Sequence, residues 1–202
     1  NAPACQFKLK TKMIQIRIAP DERYSLSEMA QMAVEGGCGW IVLAMPGADS
    51  GEWRDVGAEL VPLCRDAGVI LTVEDDVAAV RELGAHGVYL HIGSNAAKIR
   101  EDLGPEAIVG AEVGSADGAV ALDKADIDYL TIAPSCGDPK ALIAASRTGG
   151  AEVPFVAVCS ADDVIANSAS YLADGFAGFY VTGGVFDAAD PVDVVGQLQK
   201  LR

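Results

Sequence analysis

Short apolar runs alternate with amphipathic stretches from Met13 to the end of the chain. The runs Ile14–Ile18, Trp40–Ala44, Val69–Val73, Gly87–Leu90, Ala107–Ala111, Tyr129–Ile132, Phe155–Val158 and Gly178–Val181 are mostly β-branched or aromatic. Gly, Pro or Asp bounds them, which predicts eight strands. Their near-continuous apolar character suits strands buried on both faces of a parallel sheet. Between them, Ser25–Glu35, Glu52–Ala67, Asp76–Leu83, Asn95–Leu103, Ser115–Leu122, Pro139–Ser146, Ala161–Ala173 and Pro191–Leu201 predict eight helices. In the first of these, Leu26, Met29, Ala30 and Ala33 share one face. Ser25 and Glu28 have the spacing of a capping box, and Gly36-Gly37 supplies a stop.

A unit of roughly 24 residues repeated eight times is near the lower limit for a strand, a helix and two turns. No linker or low-complexity segment divides the chain. The pattern fits an α/β fold, a single (β/α)8 TIM barrel over residues 13–202. An open flavodoxin-like sheet would need three of these strands to be absent. Residues 1–12 hold three lysines but no apolar core, so they read as an N-terminal extension, with Met13 a natural start, and not as a complete secretory signal.

The 202 residues include 29 acidic and 15 basic side chains, a net charge of −14. With no basic run, the chain is not expected to bind nucleic acid or an anionic membrane surface. No stretch approaches the roughly 18 apolar residues of a membrane span. Five cysteines without a Cys-x-x-Cys pair, beside two histidines, argue against a disulfide framework or structural zinc. Reduced thiols and a cytoplasmic location follow. A homo-oligomer stays open.

In such a barrel, chemistry sits at the C-terminal ends of the strands. Glu74, Asp75 and Asp76 cluster after the third strand, oxygen donors of the kind Mg²⁺ takes, although Asp76 also suits a helix cap. Thr182-Gly183-Gly184 follows the eighth strand, where glycine N–H groups can cradle a phosphate, or simply turn. Ser160 adds a hydroxyl donor there. Lys140, in the loop after strand six, offers a point charge to a phosphate. His91 and Glu112 are placed for proton transfer or ligation, His91 alternatively as a hydrogen-bonded structural residue and Glu112 for capping near Ser115. Ser135 and Cys136 complete the candidate pocket. Arg17 and Arg147 are further cations that could reach the mouth.

Three stretches carry a resemblance: Val69-Ile-Leu-Thr-Val-Glu-Asp-Asp-Val77, Gly84-Ala-His-Gly-Val-Tyr-Leu90 and Asp128-Tyr-Leu-Thr-Ile-Ala-Pro134. Together they resemble the thiamine-phosphate synthase family, in register over about residues 13–202. The resemblance implies a barrel that joins an aminopyrimidine diphosphate to a thiazole phosphate with Mg²⁺ help, releasing pyrophosphate. It implies Asp75 as a Mg²⁺ ligand, Lys140 as a diphosphate contact, and Gly183 and Gly184 as the phosphate loop. The chain departs from the family where Gln-Leu-Arg-x-Lys after strand two becomes Ile41-Val-Leu-Ala-Met-Pro46. The family's asparagine is Glu74, its strand-five serine is Glu112, and its second metal aspartate falls at Ser94 or is missing. With the diphosphate-gripping cations gone, the alternative is a non-catalytic or tautomerase-like binder of a phosphorylated thiazole or similar heterocycle. The tautomerase's histidine in the strand-six region has no counterpart here.

Overall fold

The computed structural model describes residues 13–201, so the 1–12 extension and Cys5 lie outside the described residues. The strands are β1 (Met13–Ile18), β2 (Trp40–Leu43), β3 (Ile70–Glu74), β4 (Gly87–Leu90), β5 (Ile108–Val113), β6 (Tyr129–Ile132), β7 (Phe155–Ser160) and β8 (Phe176–Gly183). The helices are α1 (Leu26–Glu35), α2 (Ser50–Ala67), α3 (Val77–Leu83), α4 (Ala96–Leu103), α5 (Ala116–Lys124), α6 (Pro139–Thr148), α7 (Ala161–Ala173) and α8 (Pro191–Lys200). All strands run parallel in sequence order, and β8 pairs with β1 to close the barrel. The expected (β/α)8 barrel is therefore the observed fold.

Each helix starts on a side chain that suits the task. Ser25, Asp49, Asp76, Asn95, Ser115, Asp138, Ser160 and Asp190 each accept a backbone N–H from the first turn. These caps fix where each strand-end loop stops, and so fix the rim of the barrel. Ser25–Glu28 and Asp49–Glu52 are full capping boxes. Among the described residues, no helix is long and apolar enough to cross a membrane.

Strand alternation sorts the core into two compartments. Ile14, Ile16, Leu43, Leu71, Val73, Val88, Phe155 and Phe179 point outward and pack under the helices. Trp40, Val42, Tyr89, Tyr129, Val156 and Tyr180 fill the barrel interior. Tyr89 stacks parallel to Tyr129 and meets Tyr180 edge-on at 5.0 Å, while Trp40 meets Tyr129 edge-on at 5.6 Å. Rings of that size fit only because small residues face them. Gly110 pairs in register with Tyr129, and a Cβ there would sit 2.0 Å from the ring. A Cβ at Gly87 would sit 1.8 Å from the Ile108 carbonyl oxygen. Buried threonines take the polar tips: Trp40 Nε1 donates to Thr72 Oγ1 at 3.0 Å, and the Tyr89 hydroxyl shares a hydrogen with Thr131 Oγ1 at 2.8 Å.

The opposite end of the barrel is fastened by Arg100 of α4. Its guanidinium donates to the carbonyls of Gly104, Ala107 and Asp126 and pairs with Asp128. Asp128 also accepts the Val109 N–H. The two side chains are 7% and 8% exposed. One ion pair thus ties α4, the start of β5 and the approach to β6 together. The described cysteines, Cys38, Cys64, Cys136 and Cys159, are free thiols. Burial pushes the Cys38 and Cys159 thiols up to about 12 and the Cys64 thiol to about 11, so these three stay protonated and inert.

Two stability outcomes follow from this packing. Asp128→Ala strands the buried Arg100 charge and should lower the unfolding free energy by about 3–5 kcal/mol in urea titration. A loss below about 1 kcal/mol would show that water reaches the pair. Gly110→Ala should cost about 1–3 kcal/mol by overpacking, and combining it with Tyr129→Leu should cost clearly less than the sum of the single changes.

Candidate active site

The inward-facing positions at the C-terminal strand ends are charged. Arg17 on β1 reaches across the mouth to Glu74 on β3, donating from Nε at 2.8 Å and Nη2 at 3.0 Å. The Tyr180 hydroxyl from β8 donates to the same carboxylate. Burial works to raise the Glu74 pKa, but the Arg17 and Tyr180 hydrogen bonds and the Arg17 charge outweigh it and leave the carboxyl below its usual range. The Glu74 hydrogen bond raises Arg17. Burial, then the Glu74 charge, pushes the Tyr180 hydroxyl far up, so it remains a donor. Arg17, Glu74 and Tyr180 form a closed hydrogen-bonded set in which the guanidinium and the carboxylate are charged and the phenol is neutral.

Beside it, the chain turns sharply after Glu74. Asp75 adopts a left-handed backbone, φ 60°, which costs a non-glycine residue on the order of 1 kcal/mol. The turn is held by Asp75 N–H to the Tyr89 carbonyl at 2.8 Å and Asp76 N–H to the Glu74 carbonyl at 2.8 Å. It aims the Asp75 carboxylate at the end of β4. Oδ1 accepts the His91 backbone N–H at 2.9 Å, and Oδ2 accepts from His91 Nδ1 at 2.7 Å. The imidazole meets the Tyr89 ring edge-on at 5.1 Å. Glu112 on β5 accepts the Ile92 N–H at 3.1 Å, which fixes the next residue of the same loop. Asp76 faces away and caps α3.

Two adjoining cavities result. The central one, about 440 Å³, has a polar wall of Arg17, Glu74, His91 and Glu112 and an apolar wall of Ile132, Pro134 and Val158. Val158 is 44% exposed to it, unusual for a strand valine. The second, about 310 Å³, lies between the β1 and β8 ends and is bordered by Thr182, Gly183, Gly184 and Arg23. Arg17 and Thr182 border both. Gly184, at φ 77°, lies against the start of α7, where a Cβ would come within 3.2 Å of the Ala161 nitrogen. Ser160, paired in register with Gly183, caps that helix. Helix start, glycine turn and cavity therefore coincide.

The structure brings Glu74, Asp75, His91 and Glu112 together, and separately Ser160, Thr182, Gly183 and Gly184. Glu74, Glu112, Ser160, Thr182 and Gly183 lie within strands, not in the following loops. Ser135 and Cys136 sit on the β6–α6 loop outside both cavities, while their neighbours Ile132 and Pro134 line the central one. Lys140 is exposed, and its ammonium pairs with Asp174 at 2.8 Å beyond the end of α7. Arg147 donates to the Ala151 and Val153 carbonyls and lies over the Phe155 ring, also away from the mouth. Tyr89 and Tyr180 escape a sequence reading because they look like ordinary strand core. Their signal is parity, since each lies two positions before an inward-facing residue at the rim.

Glu74, Asp75 and His91 place three potential metal-ligand atoms within 4.8 Å of one another. Mg²⁺ demands near-octahedral oxygen ligation. Here both Glu74 oxygens accept from Arg17, and both Asp75 oxygens accept from His91. The guanidinium adds repulsion for a cation. This donor set does not fit Mg²⁺ unless Asp75 releases His91.

The sequence pattern of thiamine monophosphate synthase matches residues 15–139. A thiamine-phosphate synthase of Laribacter hongkongensis is 30% identical over 184 residues, covering 86% of each chain. One of Bacteroides fragilis is 30% identical over 191 residues, covering 85% of this chain and 91% of its own. The structure of a thiamine phosphate pyrophosphorylase from Pyrococcus furiosus superposes with a TM-score of 0.75 at 24% identity, covering 93% of this chain and 94% of that one. That likeness concerns the fold, and the sequence matches carry the kinship: the chain belongs to the thiamine monophosphate synthase family.

Proposed function

We propose that this chain binds a monophosphorylated heterocycle of the thiazole-phosphate type and does not itself couple it to a pyrimidine diphosphate. One observation carries this reading. Among the described residues, Arg17 is the sole lysine or arginine lining the central cavity, and Glu74 already neutralises it. A diphosphate would meet no free cation there and would face Glu112. Each charged hydrogen bond it would have to replace is worth roughly 1.5–3 kcal/mol. A single phosphate has a better place in the adjoining cavity, at the Gly183-Gly184 turn and the α7 start, where N–H groups supply the donors. The ring would then lie in the central cavity against Val158, Ile132 and Pro134. The four free thiols among the described residues support a reducing, cytoplasmic setting for this role.

Calorimetric titration tests the reading. Thiazole phosphate should bind without Mg²⁺, and the pyrimidine diphosphate should bind at least about tenfold more weakly. Gly184→Val, which crowds the Ala161 nitrogen, should abolish the phosphate-dependent part. Mg²⁺-dependent diphosphate binding, followed by thiamine phosphate formation, would restore the synthase reading and Asp75 as its metal ligand.

The closed charge set also has a pH signature. Glu74 has a depressed folded pKa, so its contribution to stability is complete above the unfolded value of about 4.3 and is lost as pH falls through the folded value. Tyr180→Phe removes one of the bonds holding it down. Urea titrations from pH 7 to pH 3 should therefore show a smaller acid-dependent loss in that variant than in the parent chain.

A further inference from the structure

We infer that Arg23, on the loop between β1 and α1, selects the phosphorylated form of the ligand, and that Asp21 restrains its guanidinium until a phosphate arrives. The inference rests on the phosphate-binding reading above and deepens it by naming a charged side chain beside the backbone donors. Arg23 borders the cavity of about 310 Å³ together with Thr182, Gly183 and Gly184. Arg17 borders it too, but both of its hydrogen bonds go to Glu74. Arg23 is held differently. Its backbone N–H donates to Asp21 Oδ1 at 2.8 Å, which pins the loop at this residue. Its Nε stands 3.5 Å from the same oxygen, an ion pair without a hydrogen bond, and its side chain is 51% exposed. Among the described residues, none accepts a hydrogen bond from this guanidinium.

The charges around the cavity give this side chain its task. Asp21 and Asp187 border the same space. With Arg17 neutralised by Glu74, the remaining charged groups of the wall are two carboxylates and one guanidinium. Without Arg23, an entering phosphate would meet only negative side chains. Backbone N–H groups can orient an oxyanion, but nearby carboxylates oppose its approach. An arginine fork adds two parallel charge-assisted hydrogen bonds, which match a phosphate and not the hydroxyl group that dephosphorylation leaves. The pair with Asp21, open to solvent and lacking a hydrogen bond, is weak enough to give way. A phosphate therefore takes over the guanidinium at small cost, and Asp21 sets how strongly it must compete.

Calorimetry on the full chain tests this with thiazole phosphate and with the unphosphorylated thiazole alcohol, at low and at high salt. Arg23→Met should weaken thiazole phosphate binding at least about tenfold, flatten its salt dependence and leave the alcohol's affinity within about twofold. Arg23→Lys keeps the charge without the fork and should fall between the parent chain and Arg23→Met. Asp21→Asn keeps an oxygen to accept the Arg23 N–H and removes the competing charge, so it should tighten thiazole phosphate binding about threefold or more. A damaged fold cannot produce that gain. If the parent chain binds thiazole phosphate, unchanged phosphate affinity in Arg23→Met, or an equal loss of phosphate and alcohol, overturns the role of Arg23 and leaves the binding reading in place. Likewise, no tightening in Asp21→Asn overturns the restraint by Asp21. No binding of thiazole phosphate to the parent chain removes both the inference and the reading beneath it.

Discussion

Closure of the barrel depends on fitting large rings against absent side chains. Trp40, Tyr89, Tyr129 and Tyr180 fill the interior, where Gly110 leaves room for the Tyr129 ring while Gly87 and Gly178 let the neighbouring strand backbones come close. Eight strands enclose just enough space for side chains to fill. Four aromatics would overfill it if the facing positions carried even a methyl group. The same rings then carry the site. Tyr180 extends a hydroxyl from the packed interior to Glu74, and Tyr89 supports the His91 ring from below. Interior packing and mouth geometry are therefore one system.

The mouth balances its own charge before any ligand arrives. Arg17 and Glu74 satisfy each other in a bidentate pair, with Tyr180 as a third partner. In a half-buried setting such a pair holds its geometry because breaking it exposes two charges to incomplete solvation. The consequence is a division of labour across the rim. The centre offers oriented hydrogen-bonding groups and an apolar wall, while on the proposed reading anion capture would fall to backbone N–H groups at the β8 turn and the α7 start. On a chain with a net charge of −14, backbone donors attract a phosphate locally without altering the overall field.

Element order and fold were legible in the alternation of apolar runs because each strand is buried on both faces. Strand ends were less so. Glu112, Ser160 and Thr182-Gly183 read as loop because they are polar or flexible, yet pairing with their neighbours continues the strands through them. The site was legible as far as chemistry-bearing residue types mark it: Glu74, Asp75, His91 and Glu112 converge as their strand-end positions suggest. Partner choice was hidden. Nothing in the sequence says that Arg17 crosses the mouth to Glu74, or that Asp75 turns left-handed to hold His91. Lys140 stands in the expected loop, but the first turn of α6 carries its ammonium outward to Asp174. The family kinship was visible from the β3 to β6 motifs.

The turn at Asp75 has an evolutionary consequence. The Asp75 carboxylate stands at the end of β3, and the side chain it holds stands at the end of β4. With no side chain at position 91, that carboxylate would keep only the backbone N–H of its partner. Once a histidine stands there, the same carboxylate, on the same backbone, is within reach of an imidazole. One side chain at the end of β4 thus decides how the carboxylate at the end of β3 is engaged, while the barrel beneath needs no change. Divergence within such a lineage would leave little trace in fold or overall identity and would be readable only at the ends of two neighbouring strands.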